Sequence, residues 1–347
     1  LKNDFSSLYV FNLRGDIRKN MFTKGLAGEG ENIFDSGSMT GIAISFLVKN
    51  TNSNESGKIY YKDIGDNLKL EDKKNILLKS KSIISIEESN GLTELFADEY
   101  GDWLNHRDVS FEEHISIGSK DKFLKKNTVF ECYSSGVKTA RDPWCYSFSR
   151  KNVEGNMSKL ISFYNSEVER YSKESIETVV NEFINNDPQK INWSDSLKKD
   201  LKKIKVHNFF SSNTSKSTYR PFTNTWGYFN KDFNDRLYQM KKIYPEANSK
   251  NLVICTSSKG SRNGFSVLIT NSVPDLNLLE GGTQCFPLYV YEDVQGEIIR
   301  TDGISNYSFN LLKDKLGSKN VNKIDYFYYI YALLNSIDYT TRFKEYF

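Results

Sequence analysis

The stretch Tyr133–Arg150, YSSGVKTARDPWCYSFSR, is the part of the sequence from which fold and function are best argued. It opens with the turn signal Ser134–Gly136 and closes in an alternating aromatic run. In that run Trp144, Tyr146 and Phe148 would lie on one face of an extended chain. The stretch therefore predicts a loop that leads into a strand.

The loop places four polar residues side by side, Lys138, Thr139, Arg141 and Asp142. Lysine, threonine and arginine donate hydrogen bonds to phosphates and to acceptor-rich base edges, which makes the loop a candidate nucleic-acid contact. The alternative is an ordinary surface hairpin in which Arg141 and Asp142 neutralise each other. The residues of the loop leave both interpretations open.

The segment GVKTARDPWCYSFSR resembles the G-x-x-T-x-R-D-x-W stretch of the single-polypeptide type I (type ISP) restriction–modification enzymes. In that family it lies where the adenine methyltransferase passes into the target recognition domain. Seven further segments match in the same order along the chain: YVFNLRGDIRKN, ENIFDSGSMTGIAISFLVKN, KIYYKDI, GDWLNHRD, YRPFTNTWGYFN, GGTQCFPLYVY and DYFYYIYALLNSIDY. The resemblance spans nearly the whole chain but only the last part of such an enzyme.

The resemblance implies an α/β (α+β) fold, in which the C-terminal strands of a methyltransferase-type sheet precede a mixed α+β target recognition domain with long helices. It implies three segments: residues 1–92 from the adenine methyltransferase, 93–128 as a connection, and 129–347 as the DNA target recognition domain. It also implies that Phe34 stacks on an adenine rotated out of the duplex. The alternative for Phe34 is that its ring closes the end of the sheet.

Composition limits the possible functions. The net charge of +3 across 347 residues is close to neutral, so any DNA-binding surface must be local. The four cysteines and three histidines are scattered, which argues against a zinc site and for thiols in a reducing cytoplasm. No apolar run reaches the ~20 residues of a membrane span. The chain begins at Leu1 without Met, from which we expect a piece of a longer protein. The thiols favour a cytoplasmic location.

Several catalytic motifs are absent from the sequence. We find no G-x-G type loop after an N-terminal strand to hold S-adenosylmethionine, no N-P-P-Y or D-P-P-Y tetrapeptide, and no G-x-x-x-x-G-K-[ST] phosphate loop. We therefore expect this fragment to bind no cofactor or metal and to have no catalytic residues of its own. In the family these motifs and the nuclease lie upstream, so the full-length enzyme is expected to use S-adenosylmethionine, ATP and Mg²⁺.

The first ninety residues read as strands separated by loops. Residues 7–13, 41–49 and 58–64 are apolar enough for strands. The polar turn at residues 51–57 predicts an antiparallel hairpin between the second and third of them. A short charged helix is predicted over residues 71–80.

Two long helical patterns follow the opening stretch. Apolar residues recur at intervals of three and four from Asn156 to Glu182, with a break predicted near Ser172. Ser194 is a predicted N-cap of a basic helix, and residues 323–337 form another amphipathic helix. The basic helix offers Lys198 and Lys202 as phosphate contacts, although a solvated helix end would carry the same lysines.

Two further loops are candidate base-reading elements. The segment from Ser211 to Arg220 mixes hydroxyls with Lys216 and Arg220, ahead of a run of aromatics that is also typical of a packed β-corner. A hairpin over residues 251–270 has a tip that carries Lys259, Arg262 and Asn263. The resulting prediction is sequence-specific recognition of double-stranded DNA beside upstream methyltransferase, helicase and nuclease domains. A protein-interaction module and an independent enzyme with an unrecognised site remain as alternatives.

Overall fold

The computed structural model describes residues 3–17, 28–52, 57–89, 91–104, 106–119, 127–174, 178–259, 261, 264–317 and 320–346. The chain divides into two compact units, Leu1–Asp108 and Val109–Phe347. The predicted domain boundaries at residues 92 and 128 refer to a parent enzyme and stay predictions. Within the described residues, no helix has both the length and the apolar character needed to cross a bilayer.

Among its described residues, the first unit is a small mixed sheet with two α-helices and a 3₁₀ turn at Asp35–Gly37. Its elements are β1 (Ser7–Asn12), β2 (Ala43–Val48), β3 (Lys58–Asp63), α1 (Leu70–Ser80), α2 (Ile83–Glu88) and β4 (Thr93–Leu95). The strand order is β2-β1-β3-β4, with β1 parallel to β3 and antiparallel to β2. The predicted hairpin between β2 and β3 is therefore wrong, because β1 lies between them.

The reason is that β1 is better suited to the centre than either neighbour. Leu8 and Phe11 are buried, and pairing on both edges satisfies the backbone groups of β1. Strands lie about 5 Å apart, so the connection over residues 49–57 is long enough to pass across one strand. A short polar turn predicts a reversal of direction, and the direction does reverse, but the turn does not determine which strand is the neighbour.

The second unit contains two small sheets and a two-stranded ribbon among its described residues. Its strands are β5 (Ser134–Ser135), β6 (Tyr146–Ser147), β7 (Thr214–Arg220), β8 (Thr223–Tyr228), β9 (Val253–Thr256), β10 (Val267–Thr270), β11 (Val273–Pro274), β12 (Gln284–Pro287), β13 (Tyr289–Val294) and β14 (Glu297–Asp302). The sheet orders are β10-β9-β12-β5 and β11-β7-β8-β6, and β13 pairs with β14. The predicted hairpin over residues 251–270 is confirmed as the antiparallel pair β9–β10.

Helices cover the sheets of the second unit. They are α3 (Asp142–Cys145), α4 (Arg150–Tyr171), α5 (Val180–Phe183), α6 (Asp195–Lys202), α7 (Met240–Ile243), α8 (Asn306–Leu316), α9 (Lys323–Leu334) and α10 (Ile337–Arg342). The predicted break near Ser172 is confirmed, since α4 ends at Tyr171. Within the described residues that follow, the helix resumes as the single turn α5. The predicted cap is also confirmed, because the Ser194 side chain accepts a hydrogen bond from the Leu197 amide.

The opening stretch differs from its prediction. Of the aromatic run that was predicted to be extended, Tyr146–Ser147 forms the short strand β6, and the residues just before it form the turn of helix α3. Pro143 favours this outcome, because its fixed φ and missing N–H suit the first turn of a helix. The Trp144 and Cys145 amides both donate to the Arg141 carbonyl. Cys145 is then buried beside Met157 of α4, and the predicted face of Trp144, Tyr146 and Phe148 does not form.

Candidate nucleic-acid interface

The loop that precedes α3 is fixed from inside the protein. Thr139 and Arg141 are only 1% and 2% exposed. The Arg141 guanidinium donates to the Phe233 carbonyl and, at 3.3 Å, to the Asn192 carbonyl. Thr139 donates to the Asp142 carboxylate. Burial lowers the pKa of Arg141 below its ordinary value, which still leaves a charged guanidinium at neutral pH.

Only one of the three predicted contacts in this loop faces solvent. Lys138 is exposed, and its Nζ lies 2.8 Å from an Asp235 carboxylate oxygen. The polar groups of Thr139 and Arg141 are occupied within the protein, so this geometry does not favour direct contact between those side chains and DNA. Their assignment to DNA remains a prediction, and their visible role is to hold the loop that presents Lys138.

The β7–β8 hairpin meets this loop through a cluster of charges. The Arg220 guanidinium lies 2.6 Å from a carboxylate oxygen of Asp275 and 3.8 Å from one of Asp142. It also packs 3.8 Å from the centre of the Tyr219 ring, whose hydroxyl donates to Asp142 at 2.9 Å. Burial raises the pKa of the Asp275 carboxyl, and nearby Asp142 adds to that effect. The predicted residue Arg220 is thus brought together with the opening loop.

The tip of this hairpin was not among the predicted contacts. Arg220 pairs with Thr223, which leaves Pro221 and Phe222 as a two-residue turn. The Phe222 side chain is 90% exposed, and its φ of 59° lies in the left-handed region. Lys216 is exposed on β7 of the same hairpin. Proline beside an aromatic between two strands is the sequence signal that could have identified this tip.

A second basic surface lies on α6. Lys198 and Lys202 line a cleft of about 460 Å³ together with residues of α5. The Lys198 Nζ donates to the Asn181 side-chain oxygen at 3.0 Å, whereas Lys202 is exposed. These lysines lie on a different element from the hairpin tip, so the predicted contacts form separate groups.

The β9–β10 turn is described only in part. Lys259 is exposed and borders a cavity of about 590 Å³ with aromatic walls that include Phe265, Tyr326 and Tyr329. Arg262 and Asn263 lie outside the described residues. The predicted base-reading role of this turn therefore stays a prediction for all three side chains.

Scattered residues in the sequence come together at one charged cluster. Asp200, His207 and Asp232 form a group with the donor geometry for a metal ion, and His207 is buried. The ammonium of Lys205 lies 3.1 Å from a carboxylate oxygen of each aspartate. The Lys205 ammonium therefore balances the negative charge of these two carboxylates. The sequence analysis missed this cluster, because its members are spread over thirty-three positions.

Phe34 lies in the first unit, directly before a single 3₁₀ turn at Asp35–Gly37. The ring is 63% exposed, so it does not close the end of the sheet within the described residues of that unit. Its amide donates to the side-chain oxygen of buried Asn32 at 2.9 Å. The Asn32 side-chain amide in turn donates to the Gly15 and Thr40 carbonyls. The loop therefore holds an accessible aromatic ring on a braced backbone.

Comparison with known proteins places these features in a family. The family model described as the Type ISP C-terminal specificity domain matches residues 128–346. The ATP-dependent Type ISP restriction-modification enzyme LlaBIII bound to DNA is 33% identical over 99% of this chain, with a TM-score of 0.80. A nuclease-deletion mutant of the Type ISP enzyme LlaGI, in complex with a DNA substrate mimic, is 32% identical over 98%, with a TM-score of 0.75.

A third solved structure, the DrdV–DNA complex, is 26% identical over 97% of the chain, with a TM-score of 0.78. The chain spans 21%, 30% and 32% of the LlaBIII, LlaGI and DrdV chains, respectively. No curated protein sequence matches the chain. The mixed α+β fold agrees with these structures, and on the family match over residues 128–346 the chain belongs to the Type ISP C-terminal specificity domains.

Proposed function

We propose that this chain recognises a specific sequence in double-stranded DNA and positions one adenine of that sequence for N6-methylation by a parent restriction–modification enzyme. The observation that carries the proposal is the match to the Type ISP specificity domain. It is supported by the likeness over nearly the whole chain to three proteins whose structures were solved with DNA or a DNA mimic. Recognition by this chain would direct both methylation and restriction by the parent.

Recognition divides into contacts that set position and contacts that set sequence. Exposed Lys138, Lys202 and Lys216 are suited to phosphates, which carry no sequence information. Lys138, Lys198 and Arg220 already have protein partners and would reach phosphates by adjusting those contacts. Base edges are assigned to the β9–β10 turn, with Lys259, Arg262 and Asn263, because lysine, arginine and asparagine form the common major-groove contacts. Phe34 is proposed to stack on the extruded adenine.

The remaining chemistry is assigned to other parts of the parent polypeptide. The sequence of this chain offers no loop for S-adenosylmethionine or ATP and no N-P-P-Y tetrapeptide. Methyltransferase, helicase and nuclease domains upstream would bind S-adenosylmethionine, ATP and Mg²⁺ and act on the DNA that this chain selects. Residues 1–92 are assigned to the end of that methyltransferase, 93–128 to the connection and 129–347 to recognition. Such an enzyme would work in the cytoplasm, where the DNA is.

The test is selection of duplexes from a random pool by the full chain, with sequencing of what is retained and titration of salt. We expect one enriched motif that contains adenine, with affinity that falls steeply as salt rises. Retention without any enriched motif would contradict sequence reading by this chain. No retention of duplex DNA would favour the protein-interaction alternative.

Two lysine variants separate position from sequence. Lys202→Ala should weaken binding to every duplex alike and should lower the slope of log affinity against log salt by about 1. Lys259→Ala should relax the enriched motif at one position while leaving affinity for random duplexes nearly unchanged. The opposite pattern in the same selection would overturn this assignment. Lys313→Ala on α8 serves as a matched control that we expect to change neither.

A further inference from the structure

The tip of the β7–β8 hairpin combines features that an ordinary surface turn would not retain. The Pro221 ring fixes φ near −65°, which suits the first central residue of a type II turn, and the second central residue of such a turn takes a positive φ. That residue is Phe222, with a φ of 59°. Glycine or asparagine is the usual occupant of such a position, because a side chain with a Cβ is strained there. Phenylalanine at this position is therefore unfavourable for folding.

The exposure of the ring adds a second cost. Phe222 is 90% exposed, so almost none of its apolar surface is removed from water. A single exposed apolar residue is ordinary on a protein surface. An exposed aromatic residue with a strained backbone is not ordinary, because backbone strain persists mainly where function requires it.

The hairpin holds this ring on a rigid base. The Arg220 guanidinium donates to the Tyr219 carbonyl and pairs with buried Asp275, both at 2.6 Å. On the other strand the Thr223 hydroxyl donates to the Pro221 carbonyl at 3.4 Å. The turn is thus fixed on both sides, and its projecting ring would lose little conformational freedom on binding.

The neighbouring side chains suit a DNA ligand. Arg220 precedes the tip, and Lys216 is exposed on the same hairpin, which places positive charge near any phosphate that approaches. Asn224 is exposed two residues after Phe222, where its amide can meet a base edge. Phenylalanine and proline are among the apolar side chains that proteins insert between base pairs of a duplex, which unstacks them and bends the helix.

We propose that Phe222, backed by Pro221, inserts between two adjacent base pairs of the bound duplex. This inference rests on the proposed function, because it requires the chain to bind DNA. It adds a contact that reads how readily a base step unstacks rather than which hydrogen-bonding groups the bases present. It is separate from Phe34, whose proposed partner is the extruded adenine.

The test uses the full chain and the duplex that it selects, with 2-aminopurine placed in turn at each adenine and permanganate probing of each thymine. Wild-type protein should increase fluorescence or thymine reactivity at one base step. Phe222→Ala should abolish that signal and weaken binding about tenfold, since aromatic–base stacking accounts for losses of that order. Phe222→Leu, which keeps an apolar wedge, should retain part of both. Phe210→Ala removes another exposed phenylalanine and should change neither.

The outcomes distinguish this inference from the function on which it rests. If the wild-type chain retains no duplex, the proposed function is wrong, and the proposed insertion of Phe222 as a wedge is wrong as well. If the chain selects a motif and Phe222→Ala leaves affinity and unstacking unchanged, only the wedge is overturned. A signal that survives Phe222→Ala at a single adenine belongs to base extrusion and counts against the wedge at that position.

The strain itself can be measured without DNA. Phe222→Gly should raise the midpoint of thermal unfolding by about 2 °C, because glycine accepts a positive φ without penalty. The same variant should lose the unstacking signal. A midpoint that stays the same or falls would remove the argument from strain.

Discussion

Arg141 places a positive charge in the interior of the second unit, with backbone carbonyls as its hydrogen-bond partners. Its guanidinium joins the opening loop to the carbonyls of Asn192 and Phe233, which belong to segments far away in the sequence. A lysine could not replace it, because one ammonium lacks the planar fork that reaches two separate acceptors. The motif in which Arg141 lies therefore stabilises the folded protein independently of any contact with DNA.

The first prediction contrasts two cations of this loop. Arg141→Ala should lower the free energy of unfolding by about 3 kcal/mol, since it removes the donor to the buried Phe233 carbonyl and to the partly buried Asn192 carbonyl and opens a cavity. Lys138→Ala should leave stability unchanged and weaken DNA binding. Urea denaturation followed by tryptophan fluorescence, together with a binding assay on the folded fraction, checks both. Normal stability of Arg141→Ala with lost DNA binding would instead support a direct contact for Arg141.

Asp63 in the first unit gives a pH-dependent prediction. Burial opposes ionisation of its carboxyl, but hydrogen bonds from the Arg14 guanidinium at 2.7 Å and from the Gly65 amide outweigh it. The pKa of Asp63 therefore lies below its ordinary value of 3.8. A lowered pKa in the folded state means that stability is fully present above pH 3.8 and is lost as the pH falls through the folded-state pKa.

Asp63→Asn should thus cost about 1 kcal/mol at pH 7, and the difference from wild type should shrink as the pH falls below 3.8. Denaturant titrations at pH 7, 5 and 3 measure the difference directly. Glu71→Gln is the matched control, because the Glu71–Lys74 pair is exposed and should contribute little at any pH. A difference that stays constant across this range would exclude the Arg14–Asp63 pair as its source.

Local signals predicted helices better than strand partners. Helix α4 was predicted because Met157, Leu160, Ile161, Tyr164 and Val168 recur on one face, and all of them are buried. Helix α3 was missed because four residues are too few to show a period, and the aromatic alternation after Pro143 resembles a strand. The β2–β3 pairing was wrong because the position of β1 depends on contacts distant in sequence.

The candidate interface was predictable only in part, for a related reason. Exposed Lys138, Lys202 and Lys216 follow from residue type alone, since lysine is rarely buried. Arg141 and Thr139 have the same donors but are buried by partners that only the fold brings near. The strain at Phe222 is recognised from its backbone φ angle, and a pattern of residues does not give that angle.

Helix α4 packs into a hydrophobic cluster of the second unit, and its first turn gives an element-level prediction. The Ser149 side chain accepts a hydrogen bond from the Asn152 amide and so caps the helix. Ser149→Ala should cost about 1 kcal/mol, because the amide loses its acceptor. Ser166→Ala, the same change at an exposed position on the same helix, should be neutral or slightly stabilising. Thermal unfolding of the two variants makes the comparison, and equal midpoints would rule out the cap as a source of stability.

The two compact units differ in how much core each contains. Among the residues that the structure describes, the second unit holds three buried clusters, whereas the first has a small one around Phe11, Leu13 and Ile86. Strand β2 lies at the edge of its sheet with exposed apolar side chains. Unpaired edges with apolar residues favour association with other chains. The second unit is therefore the part that we expect to fold independently.

Limited proteolysis should accordingly release a resistant fragment that starts near Val109. Residues 109–347, expressed alone, should unfold cooperatively and enrich the same DNA motif as the full chain, because the hairpin tip, the β9–β10 turn and the α6 lysines all lie within it. A fragment that folds and binds duplexes without enriching a motif would indicate that the first unit takes part in sequence recognition. Phe34 is an accessible aromatic of that unit. A fragment that aggregates would show that the second unit depends on the first for folding, and would contradict the independence inferred from its core.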